Sequence, residues 1–294
     1  MPADDSAVSS SIGGVPKPLL WTHPDPDSTR MMKFMRGVND KFGLNLQTYD
    51  SLYKWSIDHI SEFWGEVWDF TGVTAERSYN EARGSPIRHA VPNIGSIFPR
   101  PDFFAGSRLN FAENLLYPAN IVIDESSPAI IEATESGHSS ITWAELRERV
   151  RRCALALGFH GVAESDRVAG FVGNHANAVV AMLAAASIGA VWTGVSPDTG
   201  VTAVLERLVQ IEPKVLFVDN AVGYNNKVHG SHAKVTEILE GLQGLKACVM
   251  FETVKGFEMK TEGLALSGGE VWKYPDFVNR YLLQLLPIAV GSAN

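Results

Sequence analysis

The sequence predicts an α/β fold: a mostly parallel sheet covered by helices, preceded by a small helical lead-in. Three observations predict it. From Arg167 to Phe251, strands that are apolar throughout alternate with helical patterns, which is the signature of a parallel sheet buried on both faces. A hairpin and a helix-start signal precede that stretch. Ahead of them lie aromatic-rich helical segments that carry Trp21, Trp55, Trp64 and Trp68, four of the seven tryptophans.

The elements follow in order. Residues 1–18 begin with Asp4 and Asp5 and run through Ser, Gly and Pro to Pro18, the composition of a disordered arm without an apolar signal core. Residues 19–101 form a helical region and connector. Ser28 to Phe42 places Met31, Met35, Val38 and Phe42 at helical spacing, with Gly43 as the stop. Ser61 to Phe70 reads as a second helix, whose aromatics anchor this unit to a larger body. Residues 71–101 are rich in Gly, Pro, Asn and Arg and lack a period, as a connector does.

The main domain spans 102–280. Ala129 to Ile131 is a short strand, Glu135 to His138 a turn, and Ile141 marks the returning strand. Thr142 and Glu145 have capping-box spacing. The helix that follows carries Trp143, Leu146, Val150, Ala154 and Leu157 on one face and closes at Gly158. Strands are expected at 167–172, 190–195, 215–218 and 247–251, with helices at 176–188, 201–210 and 234–242 between them. Right-handed crossovers are the default, and ligands of such sheets sit beyond the carboxyl ends of the strands. Gly173–His175 and Ser196–Gly200 therefore lie at the candidate ligand edge. From Glu270 the pattern fades, and residues 281–294 read as an incomplete tail interrupted by Pro287.

Composition narrows the function classes. A net charge of −8 gives no general affinity for nucleic acid or anionic membranes. Cys153 and Cys248 are far apart and lie in apolar elements, which points to buried thiols in a reducing compartment. Ala176 to Pro197 is uncharged and long enough to span a bilayer, yet Gly189 divides it into a buried helix and a buried strand. A cytoplasmic location is expected.

Several chemical signatures are missing from these 294 residues. No Gly-x-x-x-x-Gly-Lys-Ser/Thr loop occurs, and Gly170-Phe-Val-Gly173 has only part of a dinucleotide-binding spacing. Ser267-Gly-Gly-Glu270 reads as a surface turn. His229-x-x-His232 puts two imidazoles on one helical face, without a carboxylate or third histidine at ligand spacing. His175 stands at a strand–helix turn as a helix-start residue with a satisfied ring nitrogen.

Three segments carry a family resemblance. They are WSIDHISEFWGEVWDF (55–70), FFAGSRLNFAENLL (103–116) and Arg167 to Phe217, which contains AMLAAASIGAVWTGVSPDTG and RLVQIEPKVLF. Together they resemble acetoacetyl-CoA synthetases, members of the acyl-adenylate-forming AMP-binding superfamily. The resemblance implies that 102–280 is part of an adenylating-enzyme N-terminal domain. It implies a ligase that joins acetoacetate to CoA through an acyl-adenylate, using ATP, Mg²⁺ and CoA. The family's Ser/Thr/Gly-rich loop ending in Lys and its lid lysine are not among these residues. The expectation is an N-terminal fragment that is inactive alone, with no cofactor bound tightly by this chain alone. By the same resemblance, Pro197, Asp198, Thr199, Tyr224 and Lys227 fall on the loops that approach the CoA nucleotide, with Lys227 as a point charge for phosphate. The partners implied are small-molecule substrates, with neither nucleic acid nor membrane, and self-association through an exposed sheet edge. Two alternatives stand beside the ligase: a non-catalytic interaction fragment and an NAD-dependent Rossmann enzyme.

Overall fold

A computed structural model describes residues 20–79, 89–91, 98, 101–135 and 137–285. The expected arm, most of the connector between 80 and 100, and the tail from 286 lie outside the described residues. The chain divides into two compact units, Met1–Thr71 with Tyr79–Gly106, and Gly72–Ser78 with Ser107–Asn294.

Among its described residues the first unit holds three α-helices: α1 (Arg30–Phe42), α2 (Tyr49–Asp58) and α3 (Ile60–Thr71). Thr29 caps α1, and Gly43 ends it in the left-handed conformation at φ 64. Met35, Val38, Leu52 and Trp55 form the small core, with Met32, Phe34 and Phe63 packed against it. The expected stripe on α1 is rotated. Met31 and Phe42 are exposed, because Met32 and Phe34 share the inward face instead. Helix α2 was not foreseen. Its capping box pairs Thr48 with Ser51, not with the usual Glu or Gln.

In the second unit, β1 (Pro128–Thr134) and β2 (Gly137–Thr142) form the expected antiparallel hairpin. Helix α5 (Trp143–Phe159) starts with the Thr142–Glu145 capping box. Its buried face is Leu146, Val150, Cys153, Ala156 and Leu157. Then come β3 (Arg167–Phe171), α6 (Ala176–Ser187), β4 (Val191–Val195), α7 (Val201–Ile211) and β5 (Val215–Asp219). A second hairpin, β6 (Ala221–Tyr224) and β7 (Lys227–Gly230), precedes α8 (His232–Gly241) and β8 (Ala247–Phe251). Strand β9 (Glu270–Lys273) and helix α9 (Tyr274–Leu285) follow. The main sheet has the order β4-β3-β5-β8-β9, and every neighbouring pair is parallel.

The sheet's residues alternate between two cores. Val215, Phe217, Ala247, Val249 and Phe251 face α5, α6 and α9, while Leu216, Val218, Cys248 and Met250 face α7 and α8. All five residues of β5 and all five of β8 are buried. Each large apolar side chain so withdrawn from water contributes about 1.5–3 kcal/mol. Phe217 and Phe251 stack at 5.3 Å across the two strands.

The fading pattern after Glu270 conceals two elements. Strand β9 (Glu270–Lys273) is a sheet edge, with only Val271 and Trp272 half-buried, so its alternation is two residues deep. Helix α9 (Tyr274–Leu285) follows, with Pro275 in its first turn, where a missing N–H costs nothing. Phe277 and Val278 bury its inner face.

The segment RLNFAENLL is a fastening device. Asn110 caps α4 (Phe111–Leu116) by accepting from Glu113 N–H at 3.0 Å. Asn114 Oδ1 accepts from Thr74 N–H at 2.8 Å, and its Nδ2 donates to Thr74 O at 2.8 Å, as a paired strand residue would. Arg108 pairs with Glu76 at 3.2 Å. Residues 72–78 are thereby held to the α/β unit.

Candidate functional site at the carboxyl edge of the sheet

The chain runs from β3 to β4 on one side and then to β5 on the other. The order therefore reverses at β3, and the carboxyl ends of β3, β4 and β5 surround the place where such sheets bind ligands. A cleft of about 310 Å³ opens there. Gly173, Asn174 and Ser196 supply its polar lip, and Val179, Met182 and Trp192 its apolar wall. The Trp192 ring lies on the backbone at Gly170, where an added Cβ would stand 2.7 Å from Cη2. Glycine is required there by close approach, not by turn geometry.

Beside the cleft, Asp219 organises three strand ends. It is fully buried at the carboxyl end of β5. Its Oδ2 accepts from Gly173 N–H at 2.7 Å. Its Oδ1 accepts from the Thr253 hydroxyl at 2.6 Å and lies 2.9 Å from His175 Nε2. His175 Nδ1 accepts from Ala178 N–H at 3.2 Å and so caps α6. These bonds assign the tautomer: Nδ1 is bare, and Nε2 carries the proton toward Asp219. The helix-start role expected of His175 is the one observed. Sequence reasoning passed over Asp219. Its signal is an acid closing the otherwise apolar run Val-Leu-Phe-Val at the ligand edge.

Pro197, Asp198 and Thr199 form the turn after β4. Thr199 N–H donates to Ser196 O at 3.0 Å. The Ser196 hydroxyl, then the residue's own amide, hold the Asp198 carboxyl below the usual range. Lys234 was also missed. Its Nζ donates to Pro197 O at 2.9 Å and Thr199 O at 3.4 Å. A lysine in the first turn of a helix opposes the helix dipole, so its position signals some other partner. Helix α7 starts at the end of this turn, with Gly200 as a cap that offers no side-chain acceptor.

Tyr224 and Lys227 pair across the tip of the β6–β7 hairpin. Both are exposed, and Lys227 has no ion pair among the described residues. Because β3 separates β4 from β5, the two groups of expected CoA-side residues stem from non-adjacent strands. No hydrogen bond or ion pair joins them among the described residues. His229 lies in β7 and His232 begins α8, so the two imidazoles share no helical face. Among the described residues, no group of three His, Cys, Asp or Glu side chains converges to hold a metal. No helix of those residues is long and apolar enough to cross a membrane.

Residues 124–269, from the hairpin to the last turn before β9, match the AMP-binding enzyme family. Those residues belong to that family. Relatives extend the likeness beyond those residues. Malonamoyl-CoA synthetase vrtB of Penicillium aethiopicum is 46% identical over 258 residues, which is 85% of this chain and 35% of that protein. Acetoacetyl-CoA synthetase of Danio rerio is 40% identical over 257 residues, 87% of this chain and 36% of that protein. The solved acetoacetyl-CoA synthetase from Streptomyces lividans superposes with a TM-score of 0.72 at 31% identity, covering 86% of this chain and 36% of that one. The chain thus spans about a third of the length of the relatives it matches. Within the AMP-binding region lie the cleft, Asp219 and all five expected CoA-side residues.

Proposed function

We propose that these residues are the N-terminal part of an ATP-dependent acid–thiol ligase. The reaction is acetoacetate plus ATP and CoA to acetoacetyl-CoA, AMP and pyrophosphate. In the first step a carboxylate oxygen of the acid bonds to the α-phosphorus of ATP, and pyrophosphate leaves. In the second the CoA sulfur bonds to the acyl carbon, and AMP leaves. The observation that carries this reading is the 40–46% identity over 85–87% of the chain to two acyl-CoA synthetases. The malonamoyl and acetoacetyl groups share one skeleton, an acyl carbon joined through CH₂ to a second carbonyl. A short acid with a carbonyl at carbon 3 is therefore the substrate class.

Pro197, Asp198, Thr199, Tyr224 and Lys227 are assigned to the CoA side. The Lys234 clamp gives the first three a fixed backbone. No three His, Cys, Asp or Glu side chains gather among the described residues, and Mg²⁺ that arrives with ATP would be held mainly by the nucleotide's own phosphates. The 294 residues also lack a Ser/Thr/Gly-rich loop ending in Lys. Stabilising charge at phosphorus needs preorganised donors, so this polypeptide alone is expected to be silent in a pyrophosphate-release assay. The test is a chimera in which these residues replace their counterpart in the Danio rerio synthetase. Acetoacetate- and CoA-dependent pyrophosphate release by the chimera is expected. A chimera that folds and binds ATP but forms no acyl-CoA sinks the ligase reading.

A second reading, an interaction fragment, rests on strand β4. It is a sheet edge, and Val191 is 53% exposed. Unpaired edges recruit other strands. Light scattering behind size exclusion separates the two, since a concentration-independent monomer removes this second reading.

A further inference from the structure

The β6–β7 hairpin turns through Asn225 and Asn226, both left-handed at φ 52 and φ 57. Tyr224 and Lys227 close the ladder beneath them. The two turn amides are therefore not used within the hairpin. Successive N–H groups in such a turn make a concave, positive patch that suits an oxyanion. Here the patch already holds one. Asn225 N–H donates to Glu135 Oε1 and Asn226 N–H to Glu135 Oε2, each at 2.9 Å. Glu135 comes from the β1–β2 hairpin, far away in sequence, and both partners belong to the same compact unit. The two amides hold its carboxyl below the usual range, Asn226 first. Lys227 follows directly and is exposed, with no ion pair among the described residues.

The CoA-side assignment of Tyr224 and Lys227 already gives this hairpin tip to a nucleotide; resting on that reading, we propose that Glu135 is an internal competitor there, an autoinhibitory contact on the Asn225–Asn226 amide pair that must leave before a phosphate-type oxyanion enters. A carboxylate and a phosphate present the same two-oxygen edge to paired amides. The phosphate carries more charge and gains the nearby Lys227 ammonium. The tether gives Glu135 a high local concentration, so the resting state is the occupied one. The idea rests on the ligase reading for the hairpin's CoA-side assignment and for CoA as a second probe.

The test follows the Asn225 and Asn226 amide signals in the ¹⁵N-labelled chain during titration with inorganic phosphate, and separately with CoA, at constant ionic strength. Wild type, Glu135→Gln, Glu135→Ala and the control Glu258→Gln are compared. All three substitutions are at exposed positions. An occupant seated about nine-tenths of the time raises the apparent dissociation constant about tenfold. Half-saturation by phosphate is therefore expected about tenfold lower in Glu135→Gln and Glu135→Ala than in wild type or Glu258→Gln. Adding Lys227→Gln to Glu135→Gln should take back part of that gain. Equal half-saturation in all four proteins, or amides that stay unmoved in both Glu135 variants, overturns the proposal. A response to phosphate without one to CoA upholds the subsite and counts against the ligase reading instead.

Discussion

The Asn110 carboxamide donates to the Ala186 carbonyl at 3.0 Å while its oxygen accepts from Glu113 N–H. One side chain thus closes the start of α4 and the end of α6, where Ser187 O is also within 3.2 Å. Helix ends leave carbonyls and amides without intrahelical partners. Asn110→Ala opens both ends together. The expected cost is about 1–2 kcal/mol, which lowers Tm by several degrees in a thermal unfolding scan. Asn110→Asp keeps the α4 cap but turns a carboxylate toward the α6 carbonyls, and should be no better than alanine. Unchanged melting of both variants would show that the bridge is idle.

Asp219→Asn tests the hub beside the cleft. The carboxylate accepts from Gly173, Thr253 and His175, which come from the ends of two other strands. An amide can accept on one atom only, and its own N–H₂ would confront Gly173 N–H or the other donors. The side chain is fully buried, so water cannot compensate. A loss of about 3 kcal/mol is expected in urea unfolding. Faster hydrogen exchange at the Gly173 amide should accompany it, and this local readout separates a loosened turn from general weakening. A loss below about 1 kcal/mol would mean that the hub does not hold the turn.

Gly170→Ala probes the packing beneath Trp192, which forms part of the cleft wall. The new methyl would stand 2.7 and 2.8 Å from Trp192 Cη2 and Cζ2, and 2.9 Å from Val172 Cγ2. Overpacking of this kind costs about 1–3 kcal/mol. Pairing it with Trp192→Leu should recover most of the loss, a coupling that a double-mutant cycle measures directly. Additive losses would place the strain at Val172 instead.

The parallel sheet was legible because β8 is apolar at every position and β5 at all but its closing Asp219, the pattern of strands covered on both faces. The Thr142–Glu145 box and the His175 cap were legible because each is a local rule. The Thr48–Ser51 cap, β9 and α9 were not. The first uses an unusual acceptor, and β9 is an edge with two half-buried residues, too short for a period to show. At the site, sequence reasoning reached the two turns by resemblance and by the rule for strand ends. It missed Asp219, Lys234 and Glu135, whose partners lie between 34 and 91 residues away in sequence. Contacts of that span come from the fold, not from spacing.

Cys153 and Cys248 are both 0% exposed, and burial pushes both thiols up to about 12. The folded chain consequently presents almost no thiolate to alkylating reagents at neutral pH. A cysteine introduced at an exposed position such as Lys255 would accept a maleimide dye or spin label against a silent background, with no native residue removed.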